Sequence, residues 1–139
     1  MKLELRFPAN VDSAAAHAAL AVTLFRREFD SDLDLTPGSL EGVDSQIESL
    51  REDGYSTEEL AEALFAIGCY LGEVMVRALR GRWASTSKTA LGPVSPWPMV
   101  VVLADGSAWD VIGKVYRRFE IGDSEYLPAF FLAAAGRGR

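Results

Sequence analysis

The sequence predicts one α+β domain in which about five helices pack on one side of a small, mostly antiparallel sheet. Apolar residues recur at helical spacing in five segments. Strand patterns occur near the N-terminus, where charged and apolar residues alternate, and after residue 80, where β-branched and aromatic residues are frequent. A chain of 139 residues suits a single globular domain spanning 1–139, with a short flexible tail at 136–139.

The N-terminal half begins with a predicted strand and continues with two helices. Lys2–Phe7 alternates charged and apolar residues, which is typical of a half-buried strand. An alanine-rich helix is predicted over 11–29, and a second helix follows Ser39 after a polar, turn-rich connector. Gly54 is expected just beyond the second helix, in the left-handed conformation that glycine adopts without steric cost.

The longest predicted helix spans Thr57–Arg80. Ser56 and Glu59 match the capping box that opens many helices. This helix is apolar around most of its circumference, which places it at the centre of the fold. Gly68 and Gly72 each cost about 1 kcal/mol of helix stability relative to alanine, so we expect them to form a groove in which a neighbouring element packs closely.

The C-terminal half is predicted to contain two strands and two helices. The strands cover 82–87 and 97–103 and are separated by a loop rich in glycine and proline. Helical spacing returns over 108–122, where Gly122 ends the helix. A last helix, capped by Asp123 or Ser124, is expected to run through Ala135.

The net charge of −6 is unevenly distributed along the chain. Glu28–Glu62 holds twelve acidic residues and one basic residue, whereas Arg77–Lys88 holds four basic residues and no acidic residue. An acidic chain argues against nonspecific binding of nucleic acid, which requires neutralisation of phosphates. The acidic block is either a solvated helical face or a surface for a basic partner.

The sequence contains few residues suited to catalysis or metal binding. His17 and Cys69 are the only histidine and the only cysteine, so a Cys/His metal site lacks ligands and no cofactor is expected. These two residues formally allow a nucleophile–base pair, but both are also typical of core packing. The single cysteine excludes an internal disulfide and fits a reducing cytoplasm. No apolar run approaches the length of a membrane helix.

Glu73 is the most informative charged residue of the long helix. Arg77 follows four residues later, the favourable order for an ion pair on a helix surface. Alternatively, Glu73 lies at the rim of a pocket together with Arg77, Trp83 and Arg117, where it orients a ligand or partner. Paired acid–base chemistry needs a second carboxylate, and the only distant candidate, Asp110, is as easily a helix N-cap.

The segments "GCYLGEVMVRALRGRW" and "DVIGKVYRRFEIGDSEYL" together resemble an uncharacterised family of small bacterial domains. The shared pattern is G-x-x-L-G-(Glu/Asp) on a helix, then Gly-x-Trp entering a strand, then an arginine-bearing helix that ends in glycine. The resemblance covers roughly 39–134 and implies the order of elements, but no activity. The residues that match the pattern are Gly68, Leu71, Gly72, Glu73, Gly81, Trp83, Arg117 or Arg118, and Gly122.

These observations favour a non-enzymatic interaction or regulatory protein that binds another protein or itself, as a homodimer. One specific form is an immunity-type protein whose acidic surface covers a basic partner. The alternative is a small-molecule-binding domain or weak enzyme with a pocket near Glu73, Arg77, Trp83 and Arg117. We expect no metal, no cofactor, no nucleic acid and no membrane among its ligands, and a cytoplasmic location.

Overall fold

The computed structural model describes residues 5–137 and confirms the predicted α+β class. Within these residues, five α-helices accompany a three-stranded antiparallel sheet of order β1-β2-β3. No helix in this part of the chain is long and apolar enough to cross a membrane. The elements are α1 Ala14–Phe29, α2 Leu40–Glu52, α3 Ala61–Leu79, β1 Arg82–Ser85, β2 Met99–Val102, β3 Ala108–Trp109, α4 Val111–Ile121 and α5 Leu127–Arg137.

Helix α3 lies at the centre of the molecule, as its wide apolar face predicts. It packs against α1 and α4 and also contacts β1 and β2. A Cβ atom built on Gly68 would lie 2.7 Å from the Cα atom of Ile112 in α4. A Cβ atom on Gly72 would overlap the indole ring of Trp83. The predicted packing role of both glycines is therefore confirmed, and the groove is filled by α4 and a tryptophan ring.

The segment before α3 forms the predicted capping box, but the helix itself begins later than expected. The Glu59 backbone N–H donates to Ser56 Oγ at 3.1 Å, and the Ser56 N–H donates to Glu59 Oε1 at 2.8 Å. Residues 57–60 form turns, so α3 starts at Ala61 rather than Thr57. Gly54 has φ +86°, which confirms its left-handed conformation after α2.

The sheet is smaller than predicted, because its strands are short. β1 ends at Ser85, where a 3-10 turn over Thr86–Lys88 begins. β3 contains Ala108 and Trp109, which the sequence assigned to a helix. That helix, α4, starts only after Asp110, whose side chain accepts a hydrogen bond from the Gly113 backbone N–H at 3.2 Å. The N-cap interpretation of Asp110 is thus confirmed.

Alternate residues of β2 connect the sheet to the helices. Met99 and Val101 of β2 and Leu103 just after it belong to the main hydrophobic core, and both α3 and α4 contact β2. Trp83 of β1 and Trp109 of β3 are the two register partners of Val101. The sheet thus places one tryptophan on each side of its central strand.

The predicted N-terminal strand is wrong for the residues that the structure describes. Leu5–Phe7 forms no strand, while Lys2–Glu4 lies outside the described residues. The Arg6 backbone N–H donates to the Glu62 carboxylate at 2.9 Å, and the Phe7 ring packs edge-on against His17. The alternating pattern predicted that the Arg6 backbone would bond to a neighbouring strand. Its N–H bonds to a side chain instead.

The last helix extends slightly further than the sequence indicates. A 3-10 turn over Asp123–Glu125 precedes α5, and Pro128 is the second residue of that helix, as expected for a proline in the first turn. Gly136 and Arg137, which were expected in a flexible tail, belong to α5. The final two residues lie outside the described part.

A buried ion cluster joins three of the helices. The Arg118 guanidinium donates to both carboxylate oxygens of Asp44, at 2.9 and 3.1 Å, and to Glu48 at 2.7 Å. Asp44 also accepts from the Leu127 backbone N–H at 2.9 Å. Burial opposes the charge of Arg118, but these hydrogen bonds outweigh it and raise the pKa of Arg118. The cluster therefore ties α2, α4 and the start of α5 together.

Candidate functional sites

Glu73 and Trp83 meet, as the pocket hypothesis requires, but they bond to each other. Trp83 Nε1 donates to Glu73 Oε2 at 2.8 Å, and the indole ring covers Gly72. Trp83 reaches this position because α3 ends at Arg80, whose left-handed conformation turns the chain back into β1. Arg77 is exposed, and no ion pair joins it to Glu73 within residues 5–137. The predicted Glu73–Arg77 ion pair is therefore wrong.

Arg117 lies on a different part of the surface from Trp83. Its guanidinium pairs with Asp110 at 3.6 Å and with Glu125 at 3.4 Å. It lines a cleft with Trp97, whereas Trp83 lines another cleft that does not include Arg117. The four residues therefore do not form one pocket: Trp83 and Arg117 line different clefts, Glu73 binds the Trp83 indole and lines neither cleft, and Arg77 is exposed.

The first cleft, called here the Trp83 cleft, runs beside β1 and has a volume of about 820 Å³. One wall comes from the 3-10 turn before α1, and the other comes from β1 and the turn after it. Its lining is rich in hydrogen-bonding side chains. The lining residues are Asn10, Val11, Asp12, Arg82, Trp83, Ala84, Ser85, Lys88, Thr89, Ala90, Val102 and Gly106.

The second cleft, called here the Trp97 cleft, lies between the turn before α3 and helix α4, and has a volume of about 630 Å³. Trp97 stacks on Tyr116 with ring centroids 4.4 Å apart. The Tyr116 hydroxyl donates to the Ala61 carbonyl at 2.6 Å, which holds the stack against α3. The lining residues are Ser56, Thr57, Glu58, Val94, Pro96, Trp97, Asp110, Gly113, Tyr116, Arg117 and Glu120.

The Trp97 cleft is acidic. Three carboxylates line it, those of Glu58, Asp110 and Glu120, against the single guanidinium of Arg117. The charge of Arg117 is already engaged by Asp110 and by Glu125. Glu120 accepts from the Thr57 hydroxyl at 3.0 Å, whereas no described residue pairs with Glu58. The cleft therefore carries uncompensated negative charge next to an aromatic ring.

Much of the acidic block predicted as a single surface is engaged within the fold. Asp44 and Glu48 bind Arg118, and Glu59 closes the capping box. Glu62 pairs with Arg6 at 3.7 Å. The solvated-face interpretation is therefore wrong for Asp44, which is buried.

His17 and Cys69 both lie in the core. His17 Nε2 donates to the Pro8 carbonyl at 2.9 Å, and its ring packs edge-on against Phe7 and Phe65. Cys69 is fully buried, and burial raises the pKa of its thiol far above the ordinary value. A thiol that does not ionise is a poor nucleophile, so the core interpretation of both residues is confirmed and their pairing for catalysis is not supported.

Two carboxylates near the surface pair with basic side chains, and these pairs should make the stability of the protein sensitive to acid. The hydrogen bond from Arg118 lowers the pKa of Glu48, and the hydrogen bond from Lys114 lowers the pKa of Glu125, both from 4.5. A lowered pKa contributes stability that is present above the unfolded value and is lost as the pH falls through the folded one. We therefore expect the free energy of unfolding to decrease as the pH drops below about 4.5.

Denaturant unfolding at a series of pH values measures this effect. Glu125→Gln should be less stable than the parent protein near neutral pH and should show a shallower acid dependence. An identical slope in the two proteins would contradict the assignment of Glu125.

Residues 5–137 contain no group of three or more histidine, cysteine, aspartate or glutamate side chains arranged to hold a metal ion.

The Arg118 cluster and the Trp97 cleft were not predicted from the sequence. Asp44 shares the helical phase of Leu40, Val43 and Ile47, and this buried phase was the available signal for the cluster.

Comparison with known proteins adds no relative. No family model, no curated protein and no solved structure matches this chain. The resemblance to an uncharacterised bacterial family therefore stays a prediction. Its motif residues Gly68, Gly72 and Trp83 nevertheless have a physical role here, because Gly68 packs against Ile112 of α4 and Gly72 packs against the Trp83 ring.

Proposed function

We propose that this chain is a non-enzymatic interaction protein that binds a basic segment of another protein in the Trp97 cleft. The single observation that carries the proposal is the combination of exposed apolar side chains with uncompensated carboxylates at one place on the surface. Val94 is 74% exposed at the rim of this cleft, beside Glu58 and Glu120.

One further exposed apolar side chain follows a lining residue of this cleft in the chain. Ile121, 57% exposed, follows the lining residue Glu120. Single exposed apolar residues are ordinary on a protein surface, but Val94 lies in a cleft that also holds an aromatic ring, and this combination is typical of a protein interface. Tryptophan, tyrosine and arginine are also the residues that most often dominate binding energy.

The charge of the cleft selects the partner. A lysine or arginine side chain entering the cleft can approach the face of Trp97 while its charge lies near Glu58 and Glu120. Such a side chain gains from both the aromatic ring and the carboxylates, whereas an acidic side chain is repelled. A partner with basic and apolar residues is therefore favoured, which agrees with an immunity-type or regulatory role in the cytoplasm.

Binding of a basic peptide tests the proposal directly. The probe is a short, flexible peptide that alternates lysine with leucine and serine, and its matched control carries glutamate in place of lysine. We expect the lysine peptide to shift the NMR signals of the Trp97 indole and the Glu120 amide, with affinity that falls as salt is added. The glutamate peptide should leave these signals unchanged.

Charge reversal locates the binding surface. The double variant Glu58→Lys, Glu120→Lys should bind the lysine peptide about tenfold more weakly or not at all. Glu52→Lys with Glu41→Lys is the matched control, because it makes the same charge change on exposed residues of α2 outside the cleft. Equal weakening in both double variants, or binding that salt does not affect, would refute the proposal.

Self-association is the second form of the proposal, with a homodimer formed through the same apolar rim. Sedimentation of the protein over a range of concentrations measures it. If the chain is a dimer, Val94→Asp should shift it toward the monomer, because a buried unpaired carboxylate opposes association. A monomer at every concentration would exclude this form and leave a different protein as the partner.

A further inference from the structure

We infer that the Trp83 cleft is a second binding site, independent of the Trp97 cleft, and that it takes a small molecule carrying an oxyanion group next to an apolar part. The two clefts share no lining residue. The inference rests on a sheet edge that no described residue pairs with, on two cations beside it that no described residue neutralises, and on the size of the cleft.

The cleft follows the outer edge of β1, which pairs with no strand in the described part of the chain. All four residues of this strand, Arg82–Ser85, line it, although side chains of a strand point alternately to opposite faces. The lining also includes Val102, the register partner of Arg82, so the cleft follows the edge of β1 and extends over the neighbouring face of the sheet. β1 is an edge strand, because the sheet order is β1-β2-β3.

Backbone donors point into this edge. The Thr86 N–H donates to the Pro98 carbonyl at 3.0 Å, which makes Thr86 the first hydrogen-bonded position of the pair with β2. Hydrogen-bonded positions alternate along an antiparallel pair of strands. The backbone groups of Ala84 and Arg82 therefore also bond to β2. The backbone groups of Trp83 and Ser85 therefore face the cleft, where an oxyanion can accept hydrogen bonds from their N–H groups.

Two cations flank these donors. Arg82 and Lys88 are exposed at the cleft, and neither forms an ion pair with any residue that the structure describes. The one carboxylate in the lining is that of Asp12, on the opposite wall. Arginine presents a planar fork of donors that matches the oxygens of phosphate and carboxylate groups. The Ser85 hydroxyl and the amide N–H groups of the Asn10 side chain add further hydrogen-bond donors.

The apolar part of the ligand has its own surface. Trp83, Ala84 and Val102 line the same cleft, and the indole is held in place by its bond to Glu73. A volume of about 820 Å³ is within the usual range of small-molecule sites. Arg82 and Lys88 would thus bind the charged group, while the tryptophan contacts the remainder of the molecule.

Titration with phenyl phosphate tests the inference, followed by the NMR signals of the Ser85 amide and the Trp83 indole. Inorganic phosphate and benzoate separate the contributions of the phosphate group and the aromatic ring, and benzyl alcohol is the uncharged control. We expect saturable shifts with phenyl phosphate, weaker shifts with phosphate alone and none with benzyl alcohol. Benzoate binding as tightly as phenyl phosphate would identify a carboxylate site with the same chemistry.

Variants decide whether the shifts report the proposed site. Arg82→Gln and Lys88→Gln should each weaken phenyl phosphate binding by about tenfold, because each removes a charged hydrogen-bond donor. Arg80→Gln is the matched control, since Arg80 is an exposed cation two residues away that does not line the cleft. Absence of saturable shifts with all three anions, or equal weakening by Arg80→Gln, would overturn the inference.

Discussion

Replacing Asp44 with alanine is expected to destabilise the fold by about 3–5 kcal/mol, because it leaves the guanidinium of Arg118 buried without its main partner. The Arg118 side chain is only 2% exposed, so water cannot replace the lost carboxylate. The Leu127 backbone N–H loses its acceptor in the same variant. Chemical denaturation of the parent and variant proteins measures the loss.

Two further variants separate the lost pair from a simple loss of packing. Glu48→Ala should cost clearly less than Asp44→Ala, because Glu48 is partly exposed and makes only one of the three hydrogen bonds to Arg118. The double variant Asp44→Leu, Arg118→Met removes both charges and should be more stable than Asp44→Ala alone. A cost below about 1 kcal/mol for Asp44→Ala would contradict the role of the ion cluster.

Replacing Gly72 with leucine is expected to destabilise the fold by about 1–3 kcal/mol through overpacking. Even the first atom of a side chain at this position would overlap the Trp83 ring, and it would also lie 3.2 Å from a methyl group of Val111. The Trp83 ring cannot move away without breaking its hydrogen bond to Glu73. Thermal or chemical unfolding of the variant gives the cost.

Gly42 supplies the matched control for this prediction. It also lies within a helix, but no atom is within 4 Å of a Cβ built there. Gly42→Ala should therefore stabilise the protein by up to about 1 kcal/mol, the difference in helix propensity. In a Trp83→Ala background, Gly72→Ala should lose its cost, because the clashing ring is absent. A neutral Gly72→Leu in the parent protein would show that this side of α3 is open.

The charge asymmetry of the sequence corresponds to the positions of the two proposed sites at opposite ends of α3. The acidic end of α3 adjoins the Trp97 cleft, through Glu58 and the turn that holds it. The basic end leads through Arg80 into β1, where Arg82 lines the Trp83 cleft. Helix α3 spans about 28 Å between these ends, at 1.5 Å per residue over its 19 residues. The two sites are therefore expected to bind ligands of opposite charge independently.

Features that depend on neighbouring residues followed from the sequence alone. The α+β class, the capping box at Ser56 and the left-handed Gly54 all depend on periodicity or on contacts within a few residues. The packing role of Gly68 and Gly72 followed as well, because glycine in a helix interior costs stability that close packing offsets. These inferences do not require knowing which distant segment supplies the contact.

Only the tertiary structure decided which distant side chains meet. Asp44 and Arg118 are 74 residues apart, and twelve acidic residues between Glu28 and Glu62 were equivalent candidates for any buried base. Local helical spacing favoured Arg77 as the partner of Glu73, yet the turn at Arg80 brings the Trp83 indole to that carboxylate. Periodicity determines which face of a helix is buried, whereas the packing of helices and strands determines which polar groups share that buried space.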